Sequence, residues 1–276
     1  MPTDIAAIRA LSEKPLGTRW QPVDVLCAGE ITVRTKLVRD ADTAAVCVSE
    51  AVSHEVLRLI GLRVADCHAV IVGVEFALDM TRQYGFAPPV MAGRHWGTTF
   101  LGKSALEVEL TAAHGRLLKT PAHLLTLHLA DVLLANPDRS THGNVLLVTE
   151  ERGRLALLPI DQSDCFNHPG CFRVPERLAA ARNQRIGGWL PGTELVVMRQ
   201  PPGFVAAEIA RIMALSGAIS DAVNIVPEEW YSRAGIDPDG VRDFLAWRLA
   251  NLPTLVDMSY WENLANATGG GHVLEF

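Results

Sequence analysis

The sequence predicts an α+β chain in two lobes, a small sheet-bearing lobe over residues 1–92 and a mainly helical lobe over residues 93–276. Three observations carry this. Residues 30–38 alternate between two faces, as a strand with one covered face does. A strand–strand–helix–strand order is reached by residue 75. From Met80 to Gly102 the chain is punctuated by Gly and Pro (YGFAPPVMAGRHWGTTFLG), and helical spacing dominates beyond it.

The elements follow in order. Residues 30–38 (EITVRTKLV) set Ile31, Val33, Thr35 and Leu37 on one face, with Thr32, Arg34, Lys36 and Val38 on the other. Upstream, LGTRWQPVDVL is a glycine-containing turn leading into another strand, so the pair reads as a hairpin. Residues 48–60 place Val48, Val52, Val56, Leu59 and Ile60 on one helical stripe, with Gly61 as the stop. Residues 68–74 (HAVIVGV) read as a compact strand. Residues 122–135 (AHLLTLHLADVLLA) are apolar nearly all round, so a buried helix is expected there. It ends at Asn136-Pro137 because the residue before a proline avoids the helical region. More helices are expected from Gly203 onward, among them an amphipathic one over residues 241–252 after the turn DPDG. The glycine-rich tail reads as loose.

Composition limits the function. A chain of 276 residues holds one large domain or two small lobes without a disulfide or metal staple. Hydrophobic residues at 49% and charged residues at 20% exclude a disordered chain. A formal net charge of −6 argues against a nucleic-acid partner, and the lack of a basic cluster makes a poor fit to an anionic membrane surface. No apolar run reaches the length of a membrane span, and MPTDIAAIRALSEK lacks the order of a secretory signal. Five cysteines without a CxxC pair indicate neither a disulfide framework nor a zinc site, and a cytoplasmic setting is expected.

One segment carries chemistry. Residues 136–144 (NPDRSTHGN) precede two short apolar runs, NVLLV and LALLPI, which flank a turn at 150–154 and read as an antiparallel hairpin ending at Asp161. Positions 144 and 161 are equidistant from the midpoint between Arg152 and Gly153, so Asn144 and Asp161 are expected to face each other at the open end. Asp138 lies on the loop just before. Two carboxylates and an amide then converge, the oxygen shell that Mg²⁺ favours. Two carboxylates about 5 Å apart at an effective dielectric near 20 repel by roughly 3 kcal/mol, and a dication turns that penalty into attraction.

An Asp-Arg loop ending in Asn, followed by a hairpin ending in Ile-Asp, resembles the catalytic signature of HipA-like kinases and phosphatidylinositol kinases, whose loop reads like Asn-x-Asp-Arg-His-x-x-Asn. VPEEW (226–230), VRDFLAWRLANLPTLV, GTRWQPV and GRHWGTTF resemble other parts of the HipA-like domain, so the resemblance runs from about residue 10 to residue 257. It implies a two-lobed protein-kinase-like fold using ATP and Mg²⁺. It assigns Asp138 as the catalytic carboxylate, Asn144 and Asp161 as metal ligands, Lys36 as the contact to the α/β-phosphates and Glu50 as the partner of Lys36. It sets the Gly17-Thr18 turn over the phosphates and the base-contacting hinge within residues 90–100. By the same resemblance, Thr18, Ser140 and Thr141 are candidates for a phosphate switch, none of them singled out.

The chain departs from the pattern at three places. Five residues separate Asp138 from Asn144 instead of four, Ser140 stands where His is usual with His142 nearby, and Gln162 follows Asp161 where His is frequent. The expected reaction is transfer of the γ-phosphate to a hydroxyl, a Ser or Thr of a protein. The rival readings are a nucleotide-binding pseudokinase or scaffold, motivated by the extra loop residue, and a small-molecule or lipid kinase. His123 and His128, five apart, do not share a helical face and read as structural or solvated. Asp131, in the buried helix, is expected to bond a backbone group or an arginine.

Overall fold

The structure, a computed structural model, describes residues 2–102, 105–107, 114–139, 144–150, 153–168, 170–186, 190 and 192–267. The candidate phosphorylation positions Ser140 and Thr141, His142 and the tail from residue 268 lie outside the described residues.

The first part of the chain closes a barrel. Its strands are β1 (Thr3–Ala10), β2 (Val23–Cys27), β3 (Ile31–Lys36), β4 (Cys67–Val72) and β5 (Gly93–Thr99), in the spatial order β1-β2-β3-β5-β4. All pairs are antiparallel except β1 with β4, which closes the ring in parallel. Closure removes the sheet edges. Val23, Val25, Cys27, Val33 and Val70 fill one core with Met80 and Phe86. Gly97 is required by this crowding: a Cβ there would lie 2.4 Å from Val33 Cγ1 and 2.9 Å from Val70 Cγ2.

Helix α1 (Ala41–Leu59) crosses from the barrel to the helical part. It starts seven residues before the expected stripe, because Asp40 accepts from the Thr43 N–H while the Thr43 hydroxyl receives the Asp40 N–H. Glu50 therefore sits in mid-helix rather than near its start.

Two further expectations are corrected. The barrel reaches Thr99 through β5, past the expected boundary at residue 92. GRHWGTT carries little alternation of its own, and its strand form comes from pairing with β3 and β4 on both sides. The small lobe also holds a second helix, α2 (Val74–Tyr84), not one. It is stopped by Gly85 in the left-handed region, φ 66°, and turns Ala77 and Met80 into the barrel core.

Beyond the barrel, β6 (Ala105–Glu107), β7 (Val145–Thr149) and β8 (Leu155–Pro159) form a three-stranded sheet. Between β6 and β7 lie α3 (His114–Leu117) and α4 (His123–Leu134). Leu124 to Leu134 of α4 are buried without exception, as an apolar circumference demands. α4 stops at Ala135, φ 49°, just before Asn136-Pro137 as expected. The remainder is α5 (Pro175–Asn183), α6 (Thr193–Val197), α7 (Phe204–Met213), α8 (Ser216–Asp221), α9 (Glu228–Ala234), α10 (Pro238–Ala250), α11 (Leu252–Leu255) and α12 (Met258–Ala267). α10 has Asp237 as N-cap and Pro238 at its first turn, the structural meaning of DPDG. Among the described residues no helix is long and apolar enough to cross a membrane.

Candidate active site

A cavity of about 320 Å³ opens between the barrel and the β7–β8 hairpin. Leu16, Thr18 and Pro22 of the loop between β1 and β2 line one side, and Leu146, Leu158 and Ile160 of the hairpin line the opposite one. Trp96 and Thr98 to Gly102 line it along the chain that leaves β5. This covers the later part of the stretch expected to contact a base and runs two residues past it. The polar end holds Lys36, Glu50, Asn144 and Asp161.

Lys36 is the hub. It lies on the face of β3 opposite Val33, as the alternation requires, and its side chain is 12% exposed. Its Nζ donates to Asp161 Oδ1 at 2.6 Å, and also bonds Glu50 Oε1 and Ser163 Oγ. Glu50 is buried, and takes the Gln162 N–H at 3.0 Å and the Ser163 hydroxyl at 3.1 Å. Burial pushes the Glu50 carboxyl above its ordinary range, against the pull of Lys36. Burial acts to raise Asp161 as well, but the Lys36 charge and bonds, with those of Ser163, hold it well below the carboxylate range. Burial alone would lower Lys36; the two carboxylates outweigh it and raise the ammonium.

The hairpin brings Asn144 and Asp161 to its open end with a register one residue off the expected symmetry. Val145 pairs with Pro159, so Asn144 faces Ile160, whose N–H donates to Asn144 O at 2.9 Å, and Asp161 lies one residue beyond. Across the turn Glu150 N–H donates to Arg154 O at 2.7 Å, and Gly153 has φ 73°. Asp161 has φ 52°. A non-glycine residue there costs roughly 1–2 kcal/mol, and such positions concentrate at functional sites.

Asp138 meets the site through Asn144, whose Nδ2 donates to Asp138 Oδ2 at 2.8 Å. The extra residue between them therefore leaves the two side chains in contact. Beneath them Arg139, 3% exposed, donates to Ile160 O at 2.8 Å and to Gln162 Oε1 at 2.6 Å, and bonds Asn144 O. Its charge is answered by Asp131, 3.2 Å away on α4, the arginine partner expected for that residue. The Gly17-Thr18 turn is held by Leu16 N–H to Pro22 O at 3.0 Å and Gln21 N–H to Thr18 O at 3.1 Å. Thr18 lines the cavity; Gly17 stands beside it with open space at its Cα.

Sequence reasoning missed Ser163, which ties Lys36, Glu50 and Asp161 together, and gave Arg139 no task. A Ser two residues after a carboxylate has no distinctive spacing. A buried arginine next to Asp138 was visible only as part of the motif.

The donor set fits Mg²⁺. Asn144 spends its Nδ2 on Asp138, which leaves Oδ1 for a cation, and Asp161 Oδ2 takes no hydrogen bond among the described residues. Among those residues no group of three or more His, Cys, Asp or Glu is placed to hold a metal. Two such oxygens would leave the rest of an Mg²⁺ shell to phosphate and water, the usual way that ion is held on a nucleotide.

No family model matches this sequence, and no curated protein matches it. Among solved structures it is similar to the Helicobacter pylori proinflammatory kinase CtkA, with a TM-score of 0.56 and 12% identity over 96% of this chain and 98% of that one. The likeness spans both lobes, and the chain has the fold of a kinase.

Proposed function

We propose that the chain is a HipA-like kinase that uses ATP and Mg²⁺ to phosphorylate a hydroxyl, a Ser or Thr of a protein. The observation that carries this reading is Lys36 held between Glu50 and Asp161 at the polar end of a cavity of about 320 Å³. The apolar walls from Leu146, Leu158 and Trp96 suit a base, and Lys36 lies where phosphate oxygens would enter.

When bound, Mg²⁺ would neutralise phosphate charge from Asn144 and Asp161. Lys36 contacts the phosphates, with Glu50 fixing its direction. Asp138 orients the acceptor hydroxyl and takes its proton as the oxygen bonds the γ-phosphorus and the bond to the β-phosphate oxygen breaks. The products are ADP and a phosphate ester. The work is positioning and charge compensation, not covalent catalysis. The 2.8 Å Asn144–Asp138 bond favours an active enzyme over a pseudokinase, because the extra loop residue does not separate them.

The test is a thermal shift paired with transfer from labelled ATP. Mg-ATP raises the melting temperature of the wild type. Asp161→Ala abolishes the shift, while Asp138→Ala keeps it and loses transfer. A wild-type chain that ignores Mg-ATP overturns the proposal.

A further inference from the structure

A second cluster at the cleft mouth is left unused by this chemistry. The loop between β1 and β2 reaches over to the segment after Asp161 through Arg19. Its Nη1 lies 3.4 Å from Asp164 Oδ1, and its Nη2 lies 3.1 Å from His168 Nε2. The second contact is the informative one. The Gly170 N–H donates to His168 Nδ1 at 3.0 Å, so Nδ1 is the bare nitrogen. A neutral imidazole then carries its proton on Nε2, and a guanidinium has only donors. Two donors thus face each other with no acceptor between them.

The surroundings keep His168 neutral. Burial, then the charges of Arg19 and Arg177, hold it below the ordinary histidine range, against the opposite pull of Asp42 and Asp164. The local carboxylates are spoken for unevenly. Asp42 takes Arg173, Asp164 reaches Arg19 only at 3.4 Å, and exposed Arg177 forms no ion pair among the described residues. The cluster also lies within the field of the site's carboxylates: after burial and Arg19, the Asp164 carboxyl responds most to Asp138 and Asp161.

We propose that Arg19 and His168 form an oxyanion seat at the mouth of the cleft, next to cavity-lining Thr18, taking a phosphoryl or carboxylate oxygen that accepts from both. The seat itself follows from the donor count. The identity of its occupant rests on the kinase reading: either the terminal phosphate of the nucleotide or an acidic group flanking the acceptor hydroxyl. Asp164 is the competing carboxylate that the anion displaces from Arg19.

Inorganic phosphate, titrated calorimetrically into the full chain at constant ionic strength, tests this without requiring activity. Wild type binds saturably. Arg19→Gln and His168→Phe each weaken phosphate binding roughly tenfold, as the loss of a bond to a charged acceptor does. Asp164→Asn tightens it several-fold, which no general loss of folding imitates. No saturable binding by wild type, or unchanged binding in both Arg19→Gln and His168→Phe, overturns the seat. Two further arms identify the occupant. Weaker binding of ATP but not ADP in these variants points to the terminal phosphate. Unchanged nucleotide binding, with transfer shifted from dephosphorylated casein towards myelin basic protein, points to the acceptor. Phosphate binding without transfer to any acceptor keeps the seat and removes the kinase reading.

Discussion

Lys36 Nζ donates to Asp161 Oδ1 at 2.6 Å, joining residues 125 positions apart and clamping the barrel to the β7–β8 hairpin. The same ammonium neutralises Glu50, whose side chain is 5% exposed. Removing one partner of a buried pair is costly because the other stays charged without compensation.

Lys36→Met is therefore expected to lose the Mg-ATP thermal shift and about 2–4 kcal/mol of stability in urea unfolding at neutral pH. The pH dependence identifies the cause. With Lys36 gone, burial keeps the Glu50 pKa raised in the folded state. A raised carboxyl favours folding below its unfolded pKa and loses that benefit as pH rises through the folded one. The deficit of Lys36→Met should hence shrink from pH 7 to pH 5. A deficit independent of pH would show that Glu50 is not its source.

Arg139 fixes the distance between the proposed metal ligands, because it bonds the carbonyl of Asn144 and that of Ile160, the residue before Asp161. Arg139→Lys keeps the charge beside Asp131 but not the fork that reaches both carbonyls and Gln162. The variant should need roughly tenfold more Mg²⁺ for half-maximal nucleotide-induced stabilisation, while binding nucleotide in EDTA as wild type does. An unchanged Mg²⁺ requirement with a lowered melting temperature would assign Arg139 to folding alone.

The legible parts of the molecule were those encoded by local pattern. The period-2 run at 30–38, the apolar circumference of α4 and the NPDR–N–ID spacing each place side chains through neighbours in the chain. What escaped the reading was set by distant partners. β1 is a strand because β2 and β4 flank it, β5 because β3 and β4 do, and neither carries a strong alternation. The hairpin register differs by one because Val145 pairs with Pro159, a register that distance from the turn alone does not set. Asp138 contacts Asn144, and Lys36 contacts Glu50 and Asp161, whereas Ser163 and the Arg19–His168 contact become visible only once the loops are placed.

Acid should destabilise the chain well above the carboxylate range. His95 is fully buried, accepting from the Val38 N–H at Nδ1 and donating from Nε2 to Met91 O at 3.0 Å. Burial lowers it from 6.5 to about 3, and burial lowers His128 to about 3 as well. A depressed group favours folding above its unfolded pKa, and that stability drains as pH falls towards the folded value. From pH 6.5 to pH 3 these two histidines should remove up to about 2.7 kcal/mol per pH unit, one proton each. His54, His68, His123 and His168, lowered in the same direction, add to the loss at the upper end. Urea unfolding at stepped pH measures the slope. His128→Leu should reduce it by one proton, and an unaltered slope would refute the assignment.

Arg248 is fully buried, and its hydrogen bonds go to backbone carbonyls. Nε donates to Val132 O and Leu133 O at 3.0 Å each, in the last turn of α4. Nη1 donates to Ala181 O and Arg182 O at 2.7 Å each, near the end of α5, and Nη2 reaches Gln184 O at 3.1 Å. Burial lowers its pKa to about 10, so it stays charged at pH 7. One guanidinium thus satisfies the orphan acceptors of two helix C-termini and lies where their dipoles favour a cation. α4 leads directly into Asn136 and Asp138, so the anchor also holds the chain entering the site. Arg248→Met, left with several unpaired carbonyls, should cost about 3–5 kcal/mol in urea unfolding. Arg248→Lys has three donors for five carbonyls and should recover only part of that loss. Full recovery by lysine would mean that charge alone, and not the fork across both helix ends, secures the packing of α10 against α4 and α5.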